Sequence, residues 1–130
     1  MKHRTAPVLI LPLLAACQNG PAEPRVDAAH GMALFAQDCT ACHGTDAMGG
    51  SGPDLTRISA RNGGDFPMTR VLAQIDGLGR HGDPTAVMPE FGASDMGPAV
   101  VVEFEEGIGT PVPADLLALA RYLESIQAPG

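Results

Sequence analysis

Cys39-Thr40-Ala41-Cys42-His43 constrains this chain more tightly than any other stretch. Two thiols three positions apart lie on one side of a helical turn, and an imidazole follows the second. This is the C-x-x-C-H pattern of covalent haem attachment. Both thiols can reach the vinyl groups on one edge of a porphyrin, and the adjacent histidine can present a ring nitrogen to iron from below. Two other chemistries use part of the pattern. A thioredoxin-like redox pair would want a βαβ setting, which the residues around the motif do not suggest. A structural zinc site would want four ligands, and the sequence offers no second Cys/His pair.

The other cysteine sits at the end of a different signal. Residues 1–16 begin with Met1-Lys2-His3-Arg4 and continue as an apolar run interrupted by Pro12. That run is too short to span a bilayer and reads as a secretory signal peptide. Leu14-Ala15-Ala16-Cys17 resembles the bacterial lipoprotein box, in which the cysteine is acylated and becomes the first mature residue. An ordinary cleaved signal with a stray cysteine is the alternative. With Cys17 lipidated and Cys39 and Cys42 on haem, none of the three cysteines is left over. Acyl chains at Cys17 would anchor the protein stably, at about 0.8 kcal/mol per buried CH2. The expected location is the periplasmic side of a bacterial membrane. Gln18 and Asn19 do not decide between inner and outer membrane.

Charge narrows the partners. The full chain carries a formal −7. Without residues 1–16 it keeps six arginines, no lysine and all fifteen acids, a formal −9. Such a surface repels nucleic acid and anionic headgroups and would suit a basic docking patch on a redox partner protein. The plainer reading is a solvated acidic surface kept for solubility.

Residues 17–26 contain Pro21 and Pro24 and no apolar period, as a lipidated N-terminus and flexible tether would. The domain is expected over 27–130. A first helix is predicted from about Asp27, its cap, to Cys39, with Ala28, Met32, Phe35 and Cys39 on one face. Gly31 lies mid-helix, where glycine costs about 0.8–1 kcal/mol relative to alanine, and so marks a close helix contact. Residues 44–64 read as loop. A second helix starts near Asp65 and Pro67, carries Met68, Val71, Leu72 and Ile75, and stops at Gly77 or Gly79. Residues 79–97 are loop again. A short β-hairpin is expected near 99–109, from Val100, Val101, Val102 and Phe104 with Gly107 and Gly109 at a turn. The last helix begins near Pro113, has Asp115 in its first turn, and carries a stripe of Leu116, Leu119, Ala120, Leu123 and Ile126.

In this order the residues resemble a family. Residues 27–127 look like a small bacterial class I c-type cytochrome with a single haem. The resemblance rests on Gly31 and Phe35 before the haem motif, Gly44 after His43, and Gly52-Pro53-Asp54-Leu55 in the next loop. Met88-Pro89-Glu90-Phe91 matches the methionine-ligand loop, and Leu119, Tyr122 and Leu123 match the last helix. It implies an all-α fold of three main helices around one covalently bound haem c, with the first and last helices crossing closely at the small residue. It further implies that the Pro53 carbonyl accepts a hydrogen bond from His43 and that His43 and Met88 ligate iron. Met96, Met48 and His81 are the other candidates for the second ligand. Met32 and Met68 are expected in the core, and His30 exposed. The implied role is electron transfer outside the cytoplasm, without catalysis. Rival roles are an open-site haem that binds a diatomic gas or acts on peroxide, and a haem subunit of a membrane oxidoreductase. The absence of lysine means that a cationic docking ring is not carried over, and 98–111 is an insertion relative to the smallest members.

Overall fold

A computed structural model describes residues 23–80 and 82–129. The signal segment 1–16, Cys17, most of the tether and His81 lie outside the described residues.

Helix α1 spans Ala28–Asp38. It starts where expected, because an Asp27 carboxylate oxygen accepts from the His30 N–H at 2.9 Å and satisfies one of the orphan donors of the first turn. Its buried residues are Gly31 and Phe35. Met32 is not core as the spacing suggested; it is 54% exposed. The buried seam is narrow and centred on Gly31, since the partner helix comes too close there for a wide apolar face.

That partner is α5, Ala114–Ser125. A Cβ on Gly31 would stand 2.0 Å from the Ala118 carbonyl oxygen and 2.5 Å from its carbon. Backbone cannot give way as a side chain can, so only glycine permits this crossing. One turn on, the Phe35 and Tyr122 rings pack tilted, with centroids 5.3 Å apart, a favourable arrangement of ring quadrupoles. Leu116, Leu117, Ala118, Leu119 and Ala120 are all buried, as is Leu123. The burial is wider than the expected stripe, and Ile126 is only partly covered. Burial that wide needs cover on more than one side. Here α1 covers one, and Val71, Leu72 and Ile75 join the same core.

Helix α4 is Met68–Asp76 and ends at Gly77, whose φ of 100° suits glycine. Met68 packs partly buried against the core, as expected. Two short helices complete the helical set, α2 over Thr40–His43 and α3 over Ile58–Arg61, the latter within the stretch read as loop.

The fold is mostly helical but not all-α. Strands β1, Ala99–Glu105, and β2, Ile108–Pro113, form an antiparallel hairpin. It runs four residues beyond the expected end, through Pro111 and Pro113, and α5 starts at Ala114. Prolines there looked like a helix start. A two-stranded ribbon has free edges, so a missing N–H on the outer side breaks no ladder bond. Val100, Val102, Phe104 and Val112 pack towards the core.

Two long-range polar ties were not foreseen. His30 is half-buried rather than exposed, with Nε2 2.8 Å from a carboxylate oxygen of Asp115 in the first turn of α5. The close crossing brings them together. The Gln127 amide latches the chain end onto residues 55–59: its oxygen accepts from the Ser59 N–H at 2.9 Å, and its nitrogen donates to the Leu55 carbonyl at 2.9 Å. Among the described residues no helix is long and apolar enough to cross a membrane.

Gly31→Ala is expected to destabilise the domain by about 2 kcal/mol in urea unfolding, because overpacking against backbone outweighs the helix propensity gained. A variant as stable as the parent would show that the crossing is loose.

Candidate functional site

The haem motif follows α1 after a break at Cys39. Cys39 N–H donates to the Phe35 carbonyl at 3.0 Å, and His43 N–H to the Cys39 carbonyl at 3.0 Å. Both motif cysteines are free thiols; Cys39 is half-buried and Cys42 exposed. Burial, then the charges of Asp38 and Cys42, pushes the Cys39 thiol up to about 11. It is therefore neutral at pH 7, whereas a thioredoxin-like pair needs a depressed thiol. Among the described residues, no group of three or more His, Cys, Asp or Glu converges as a metal site would.

The loop after the motif is folded back onto it. Gly49 N–H donates to the His43 carbonyl at 2.9 Å and Gly52 N–H to the Cys42 carbonyl at 2.8 Å. A Cβ on Gly52 would lie 2.8 Å from Cε1 and 2.9 Å from Nδ1 of His43. The glycine thus lets backbone lie flat against the imidazole. The next residue, Pro53, has its carbonyl 2.9 Å from His43 Nδ1. A carbonyl only accepts, so Nδ1 carries the proton and the Nε2 lone pair is left for another partner. A carbonyl on the far ring nitrogen in this way fixes the tautomer and the ring plane of a histidine ligand. The close approach at Gly52 was not foreseen, although Gly49-Gly50-Ser51-Gly52 is the kind of run that allows it.

Beyond Pro53 lies a cavity of about 250 Å³. Leu55, Ile58, Pro67 and Val71 give it apolar walls, and Arg61, Arg70 and Gln74 are polar members. Gln74 also contacts Met88: its Nε2 is 3.8 Å from the Met88 sulfur. The half-buried Met88 packs against the core cluster. One lining residue, Leu55, thus lies two positions past the residue that holds His43, and another, Gln74, touches the Met88 sulfur. Of the other methionines, Met96 is partly buried against the core, and Met48 is 63% exposed. His30 is engaged with Asp115.

The residues therefore fit a c-type haem: two unpaired thiols, an oriented imidazole with a free lone pair, and an apolar trough whose wall residue touches a thioether. Gln74 and Arg80 had no sequence signal as site residues. Both are polar positions beside a helix end, ordinarily solvated.

Both loops flanking the trough use the same turn. The Asp54 carboxylate accepts from the Thr56 hydroxyl at 2.7 Å and its N–H at 2.8 Å, and Asp83 accepts likewise from Thr85. The threonine hydroxyls, and then the N–H groups, hold both carboxyls below their ordinary 3.8. The His30 N–H does the same for Asp27. A folded pKa below the unfolded one means a contribution complete above 3.8 and lost as pH falls further. Thermal stability should accordingly fall on acidification below that point, and Asp54→Ala and Asp83→Ala should each flatten the decline. Parallel acid profiles for parent and variants would contradict this.

The family described as cytochrome c oxidase, cbb3-type, subunit III matches residues 26–103. No curated protein matches the chain. The family match takes in α1, the thiols, His43, the trough and the Met88 loop, and so the chain belongs to this family of c-type cytochromes, electron-transfer proteins with covalently bound haem c.

Proposed function

We propose that this protein is a single-haem electron carrier, with Cys39 and Cys42 holding the haem and His43 and Met88 as the iron's axial ligands. The observation that carries the reading is the His43–Pro53 hydrogen bond of 2.9 Å, beside two free thiols. It supports a ligand whose tautomer and ring orientation are set before iron arrives. Bound haem supplies an iron that exchanges one electron between ferrous and ferric states. The chain's residues do the rest. Thioether bonds at Cys39 and Cys42 prevent loss of the group. Leu55, Ile58 and Val71 keep water from its faces. A thioether from Met88 would raise the reduction potential relative to a second histidine. With His43 and Met88 both holding the iron, no site would be left for a substrate, which would suit a carrier rather than a catalyst.

The same reading places the protein at the periplasmic side of a bacterial membrane, held by acylated Cys17. Its partners would be redox proteins that present basic patches to an acidic surface. Glu103, Glu105 and Glu106 of the hairpin are exposed and contribute to that surface.

An optical spectrum of the holoprotein tests the ligand set. A methionine–iron charge-transfer band when oxidised, lost in Met88→Ala, and no response of the reduced protein to carbon monoxide are expected. Ready carbon monoxide binding by the parent would instead indicate an open site. The anchor is tested separately by intact mass of the native protein. A chain beginning at acylated Cys17 is expected, and a free Cys17 thiol would remove the anchor from the proposal.

A further inference from the structure

Arg80 is placed where no sequence pattern would put a functional residue, three positions past the Gly77 that ends α4. Its Nη1 donates to the Met88 carbonyl at 2.7 Å, and its Nη2 donates to the Gln74 carbonyl in the last turn of α4. The last carbonyls of a helix lack partners within the helix and carry the negative end of its dipole, so a cation is favoured there. Arg80 Nε is buried and has no hydrogen-bond partner. A buried unpaired donor is uncommon.

The surroundings of Met88 make this one guanidinium matter. Val87, its neighbour, is 94% exposed. The loop is tied elsewhere, by Gly82 N–H on a Glu90 carboxylate oxygen at 2.9 Å and by Asp83 N–H on the Arg80 carbonyl at 2.9 Å. Those ties hold the flanks of the loop. At Met88 itself, the carbonyl is held by Arg80 and the sulfur is touched by Gln74. Both lead to the same turn of α4, because Gln74 supplies the carbonyl for Arg80 and the amide for the sulfur.

We propose that Arg80 is the positioning residue for Met88: its forked guanidinium joins the Met88 carbonyl to the end of α4 and keeps the thioether turned to the trough rather than out to solvent beside Val87. The role rests on the reading of Met88 as an iron ligand. Lysine keeps the charge but has no planar fork, so it replaces one bond and not the pair.

The test uses holoprotein carrying Arg80→Gln or Arg80→Lys, with Arg121→Gln as a control. Arg121 makes a comparable bond to a carbonyl, that of Val26 at 3.0 Å, on the α1–α5 side. Two quantities are measured: amide hydrogen exchange across residues 82–90, and the affinity of the ferric protein for imidazole, which competes with a thioether for iron. In Arg80→Gln both should rise by at least about tenfold, because the charge-assisted bond to Met88 is lost together with its brace on Gln74. Arg80→Lys should fall between Gln and parent. Arg121→Gln should leave both unchanged even if it lowers thermal stability. Exchange at the parental rate in both Arg80 variants would overturn the proposal. So would unchanged imidazole affinity in a protein whose parent shows the methionine–iron band. If the parent lacks that band while Arg80→Gln still exchanges faster, the ligand reading of Met88 fails and the clamp stands. Should Arg80→Gln not fold, Arg80→Lys gives the same comparison against Arg121→Gln.

Discussion

The contact between Gly31 and the backbone of Ala118 sets the geometry of everything else. With no side chain at 31, α1 lies directly on α5. That fixes where α1 ends, and therefore where the thiols and His43 stand relative to the core. α5 supplies six buried residues from Leu116 to Leu123, so displacing it would disturb α1 and α4 together. A glycine in mid-helix is unfavourable locally by about 1 kcal/mol. It is offset here by the burial that a close crossing makes possible.

What could be read from the sequence follows from the range of the physics involved. The motif, the start of α1 at Asp27 and the end of α4, for which the sequence offered Gly77 or Gly79, are set by residues within a turn of one another, and all three were legible. So was the crossing at Gly31, through the family's pattern. Met32 was misjudged because periodicity gives a face but not its width, and the width depends on how near the partner helix comes. The hairpin's second strand was hidden by Pro111 and Pro113, whose effect depends on whether a strand edge is paired. His30–Asp115 and Gln127–Leu55 join residues 85 and 72 positions apart. Nothing local distinguishes such polar residues from solvated ones. At the site, Pro53 next to His43 was expected from the resemblance, while Gln74 and Arg80 became visible only once the Met88 loop lay against the end of α4.

The trough is asymmetric in its support. On the His43 side, backbone holds backbone: Gly49 and Gly52 bond the carbonyls of the motif, and Pro53 bonds the imidazole. On the Met88 side, side chains do the holding, through Arg80, Gln74 and Glu90. Backbone ties survive most substitutions, whereas side-chain ties can be altered one at a time. The Met88 side is thus the one on which sequence change can adjust the trough without disturbing the loop that holds His43.

The Gln127 latch has a consequence for the order in which the domain closes. Cys39, Cys42 and His43 lie far ahead of α5 in the chain. Until Ala118 and Gln127 have docked, α1 has no partner at Gly31, and the segment from Leu55 to Ser59 lacks the amide that ties it down. In that open state the two thiols stand on a helix not yet covered. Docking of α5 brings both contacts together, so a single late step covers α1 and fastens the stretch that follows Pro53.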